Sequence, residues 1–237
     1  MKKIVVLSVL VLLVVAPAMT QSLSSKIQLL ETGGFHGDEV KARSGEKWLG
    51  LYVTKRVTLL LPSTVKIERV MDEIVDVEGE MTGKVVSVNR PDEPIFLIKN
   101  ADMLKPGPAV TVYKGSQDSL HVLAEKRLVK FKLKQTSYQL KVISRHRSEG
   151  EGLVPPNAQL IFTDGFNSQT LYKIGSLTAD ASWYLLWAGD VDGDDKLDLY
   201  LSLSDHYNVS EHRLFLSSQA RSGQLLREVA KFRTTGC

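Results

Sequence analysis

The sequence predicts a mostly β protein, built either as an antiparallel β-sandwich or as two small β domains. Three observations carry this. Strand-length runs alternate apolar and polar residues; clusters of turn residues separate many of them; and almost nothing has helical spacing. "RLVKFKLK" (127–134) sets Val129, Phe131 and Leu133 against Lys130, Lys132 and Lys134. "LDLYLSLS" (197–204) sets four leucines against Asp198, Tyr200, Ser202 and Ser204. A period of two implies one buried and one wet face for each.

The other expected strands follow in order: "KWLGLYV", "RVTLLL", "TVKIERV", "GKVVSV", "IFLI", "AVTVY", "YQLKVI", "AQLIF", "TLYKI" and "WYLLWA". Turns are expected at 89–94, 105–108, 149–157 and Asp164-Gly165. "QLLREVAKF" (224–232) reads either as a helix, with Leu225, Val229 and Phe232 on one side, or as an irregular strand. The stretch 100–118, with two prolines and two glycines, is the best candidate for a boundary, or else a long loop within one sandwich. The expected division is a signal peptide (1–18), an N-terminal β-rich domain (19–115) and a C-terminal β-rich domain (116–237).

"MKKIVVLSVLVLLVVAPA" has two lysines, an apolar stretch and a small-x-small ending, the pattern of a secretory signal cleaved after Ala18. Export to the periplasm or the outside is therefore expected. No later apolar run reaches the ~20 residues that span a bilayer, so no transmembrane segment is expected. Without residues 1–18, Lys+Arg falls from 30 to 28 against 27 acidic side chains, a net charge of about +1. That balance argues against a dedicated nucleic-acid binder. Cys237 is the only cysteine, so no internal disulfide can form.

Chemistry concentrates in "AGDVDGDDKLDL" (188–199). Counting Asp190 as position 1, the side chains of Asp190, Asp192, Asp194 and Asp198 fall at 1, 3, 5 and 9, and the carbonyl of Lys196 at 7. Calcium takes 6–8 hard oxygen ligands at ~2.3–2.6 Å, and alternate residues of a tightly curled loop point inward together. Gly193 relieves crowding in the curl, while Val191 and Leu197 face away and can anchor the loop. Without a cation the like charges would raise one another's pKa values and loosen the turn. The alternative is a solvated acidic hairpin. Position 12 is Leu201 rather than glutamate, and the flanks read as strands, so this is not an EF-hand.

The motif "DVDGDDKLDL", with the strand after it and "HRLFLSS", resembles the calcium loop of FG-GAP and VCBS-type repeats. The likeness lies in Asp190, Asp192, Gly193, Asp194, Asp198 and Leu199, and covers about residues 183–237. It implies a calcium ion holding a strand-loop-strand unit. The departure is Asp195, where the repeat usually has glycine. A full propeller is not expected, because its blades of ~40–50 residues would each repeat the signature.

Other candidates carry less. His36, in "GGFHGDE", reads as a metal ligand, a general base or an ordinary loop histidine. His206 and His212 lack zinc-site spacing, and Gly-x-Ser-x-Gly is absent. The basic stretch Lys126, Arg127, Lys130, Lys132, Lys134, Lys141, Arg145 and Arg147 reads as a contact for anionic glycans, lipid headgroups or an acidic partner, or as a solvated, aggregation-resistant edge. Trp183 and Trp187 are expected on one face, as core or as a sugar platform. The expectation is an exported calcium-binding protein of binding or structural type, with an unidentified protein or glycan partner. The alternative is an envelope-polymer hydrolase whose catalytic residues have no recognisable motif.

Overall fold

A computed structural model describes residues 26–115, 121–125, 127–145, 154–176 and 180–236. The signal-like segment and Cys237 lie outside these residues, as do Lys126 and Arg147. The described residues form strands and turns with no helix, and no helix is long and apolar enough to cross a membrane. In chain order the strands are β1 (Gln28–Leu30), β2 (Gly33–Phe35), β3 (Lys47–Val53), β4 (Thr58–Val70), β5 (Gly83–Val88), β6 (Leu97–Lys99), β7 (Gly107–Lys114) and β8 (His121–Val122). There follow β9 (Leu128–Leu133), β10 (Thr136–Ile143), β11 (Gln159–Thr163), β12 (Ser168–Lys173), β13 (Trp183–Asp190), β14 (Asp198–Leu203), β15 (Val209–Leu216) and β16 (Arg227–Thr235).

Two sheets result. The larger runs β1-β6-β3-β4-β7-β13-β14-β15-β16, with β5 on the far half of β4, β2 on β5 and β8 on β13. Its ends, β1 and β16, come into contact, so the sheet is nearly closed. The smaller runs β12-β11-β10-β9, antiparallel throughout. The expected β class holds. β7 pairs with β4 on one edge and β13 on the other, so the large sheet continues across residue 115.

Strands β13–β16 divide two cores. On one side the inner face of the small sheet (Phe131, Leu140, Leu160, Phe162) packs against Trp183, Leu199, Leu201 and Phe215. On the other the N-terminal strands (Leu51, Leu60, Ile98) and Phe96 pack against Trp187, Tyr200, Leu214 and Phe232. The expected wet face of 197–204 is therefore wrong: Asp198, Tyr200, Ser202 and Ser204 are buried as well as the leucines. The alternation was real, but the nearly closed sheet covers the second face too.

Two bulges account for other departures. A register shift between Leu185 and Trp187 flips the phase of β13, so Trp183 and Trp187 enter opposite cores instead of sharing a face. Both indoles are fully buried, with Nε1 donating to Ser204 O (3.1 Å) and Thr111 Oγ1 (2.8 Å). Neither is a sugar platform. In β16, Ala230 pairs with Leu214 and Glu228 with Phe215, leaving Val229 as the extra residue. That insertion breaks the period of two and gives 224–232 its helix-like spacing.

Candidate metal centre

The aspartate loop joins two adjacent antiparallel strands, with Gly189 of β13 paired to Asp198 of β14. Val191 and Leu197 are buried in the two different cores, so the loop is pinned at both ends of its curl. Gly189 admits no side chain, since a Cβ there would sit 1.9 Å from Val110 O. Gly193 and Asp195 take left-handed backbone, φ 80° and 66°. Asp195 thus adopts the conformation that glycine adopts more easily, and its carboxylate pairs with Lys134 in the turn after β9.

One oxygen from each of Asp190, Asp192 and Asp194 lies within 4.8 Å of the others. Oxygens that close can share one ion, since ligands at ~2.3–2.6 Å are at most about 5 Å apart across it. The three carboxylates form a group able to hold a metal ion. Their other bonds shape the loop. Asp190 Oδ1 accepts from Gly193 N (2.7 Å) and its Oδ2 from Asp195 N (2.9 Å). Asp194 Oδ1 accepts from Lys196 N (2.9 Å). Asp192 Oδ2 accepts from Ser218 Oγ, whereas Asp192 Oδ1 is buried with no hydrogen-bond partner among the described residues.

Of the other two expected ligands, Asp198 lies outside the group of three. Its Oδ2 accepts from Val191 N (2.9 Å) and its Oδ1 from Ser217 N (2.8 Å), so it braces the loop against β15. Lys196 is exposed and enters this network through its backbone N–H. Ser217 Oγ lies 2.9 Å from both oxygens of Asp194 and 3.0 Å from Asp198 Oδ1. A hydroxyl has one proton for these three acceptors, so negative charge exceeds the available donors. Burial raises the Asp192 pKa, reinforced by Asp194 and Asp190 and opposed by Ser218. Burial, then Asp192, pushes Asp198 well above the usual carboxylate range.

Ser217 and Ser218 were not recognised as part of the site from the sequence. They lie nineteen or more positions beyond the loop aspartates they contact and enter only because β15 pairs beside β14. A serine pair just past the second strand after the aspartate loop is the only local signal.

A second polar site lies away from the loop. His36 Nδ1 bonds Asp72 Oδ2, not the neighbouring Asp38, while the His36 backbone N–H donates to Glu39 Oε2 (3.1 Å). Both residues line a cavity of about 360 Å³ with Glu39, Glu73 and Ser210. Its signal in the sequence was half visible: His36 stood out, but its partner is 36 positions away. His212 instead pairs with Glu31 (2.7 Å) and meets Tyr200 edge-on, and His206 lies against Tyr207.

Fold and site together define a β-rich chain whose aspartate loop could hold a metal ion. The chain matches no protein-family model, no curated protein and no solved structure.

Proposed function

We infer that this is an exported, periplasmic or secreted calcium-binding protein of binding or structural type, in which calcium secures the loop between β13 and β14. The observation that carries the reading is Asp192 Oδ1, buried without a partner beside two further carboxylates. A cation would satisfy that oxygen and offset the crowded charge. An all-oxygen donor set favours calcium, magnesium or manganese over softer metals, and the irregular loop suits calcium's flexible coordination better than magnesium's strict octahedron. Asp190, Asp192 and Asp194 would supply carboxylate oxygens. The likeness to FG-GAP and VCBS-type loops supports the same assignment, with the Lys196 carbonyl and Asp198 as its further ligands.

The test is thermal unfolding of the chain from Met19 in chelator and in rising calcium. At free calcium ~100-fold above the dissociation constant, binding adds about 2.7 kcal/mol, or about 5–10 °C in Tm for a chain of this size. Asp192→Ala should remove most of that rise, and magnesium should substitute poorly. Identical melts for wild type and variant from chelator to millimolar calcium would reduce the loop to an acidic turn.

The cavity at His36 favours a second reading, a hydrolase of envelope polymers. With Nδ1 held by Asp72, the other ring nitrogen is left to take a proton from water. Release of fragments from purified envelope polysaccharide, lost in His36→Gln, is its expected result; no release by wild type refutes it.

A further inference from the structure

The small sheet buries one face and exposes lysines on the other. Strands β9 to β12 contain no aspartate or glutamate. Lys130, Lys132, Lys141 and Lys173 are exposed on the outer face, opposite the side chains that enter the core. The register places Lys130 across from Gln139, Lys141 across from Leu128 and Ile161, and Lys173 across from Gln159. The cations therefore spread over a face about 15 Å wide, at roughly 4.8 Å per strand. None of the four makes a hydrogen bond or ion pair with another described residue. Of the carboxylates beside this sheet, Asp164 in the β11–β12 turn accepts from the N–H groups of Phe166 (2.9 Å) and Asn167 (2.7 Å), and Glu125 bridges the sheet at Val142, beside Lys141.

Apolar side chains stand among these charges. Leu128 is 45% and Ile143 43% exposed on the same face, and Phe166, at the tip of the β11–β12 hairpin, is 96% exposed. A phenylalanine held in water by a well-bonded turn gains free energy wherever it can be covered. We propose that the outer face of the small sheet docks on an anionic lipid surface, with the lysines against headgroups and Phe166 entering the interface. An acidic glycan would match the charge and leave Phe166 in water. A lipid interface matches both, because lysine stems lie along apolar surface while their ammonium groups reach phosphate.

The test is co-sedimentation of the chain from Met19 with vesicles of phosphatidylglycerol and phosphatidylcholine, against vesicles of phosphatidylcholine alone. Both are run in chelator, so that calcium cannot bridge protein to lipid and the metal reading is not at issue. Binding is expected only to the anionic vesicles and should fall steeply between about 0.1 and 1 M salt. Lys130→Gln with Lys132→Gln should weaken it about 30-fold, at about fivefold per lysine. Phe166→Ala should weaken it while leaving the salt dependence in place. Unchanged Tm values would establish that the exposed substitutions leave the fold intact. Absence of binding, equal binding to neutral vesicles, or binding to soluble heparin without binding to anionic vesicles would each overturn the proposal.

Discussion

Asp72 accepts a hydrogen bond from His36 across 36 positions of sequence, and the charges of the two groups reinforce it. That bond, against the cost of burial, raises the His36 pKa above 6.5; the same bond lowers Asp72 below 3.8. The two shifts act on stability in opposite pH ranges. The histidine's contribution is complete below pH 6.5 and is lost as pH rises through its elevated folded value. The aspartate's contribution is present above 3.8 and is lost as pH falls through its depressed one. The Tm difference between wild type and His36→Gln should therefore be largest between these limits and shrink on both sides. Melts from about pH 3 to about pH 9 check this, and a constant difference across that range would contradict it. At Asp195, too, the sequence left a visible mark. An aspartate there takes φ 66°, the left-handed backbone that Asp tolerates better than most side chains.

Elements were legible where their chemistry is local. β9 buries Val129, Phe131 and Leu133 and exposes the lysines, as alternation requires. The grouping of Asp190, Asp192 and Asp194 and the burial of Val191 and Leu197 were equally local, because curl and spacing are set within nine residues. What escaped was set by neighbours distant in sequence. The runs 56–61 and 64–70 looked like separate strands around Pro62, yet they form one strand of 13 residues that β3 and β7 flank on its first half and β5 on its second. The bulge in β13 moved Trp187 to the other core, and the one in β16 imitated a helix. No residue type marks either bulge. The serines that meet Asp192 and Asp194, and the lid over the second face of β14, also depend on sheet order, which alternation alone does not encode.

At the scale of the molecule, one sheet and one core run through both halves of the chain. β7 is bonded on both edges, to β4 and to β13. One core joins Leu51, Leu60 and Ile98 to Trp187, Tyr200 and Phe232. Glu31, just after β1, accepts from Tyr200 Oη of β14 and pairs with His212 of β15. Separating the halves would uncover both Trp187 and Phe96, each fully buried, and burial of such side chains is worth ~1.5–3 kcal/mol each. The chain should therefore unfold as one unit, with calorimetric and van't Hoff enthalpies equal. If calcium occupies the aspartate loop, it should shift that whole transition, although every carboxylate of the loop lies in the C-terminal half. A fragment of residues 19–115 should lack cooperative unfolding and a dispersed NMR spectrum, because its core is completed by β13–β16. Two resolved endotherms, or a folded 19–115 fragment, would show instead that the strand pairing across residue 115 joins two bodies able to stand alone.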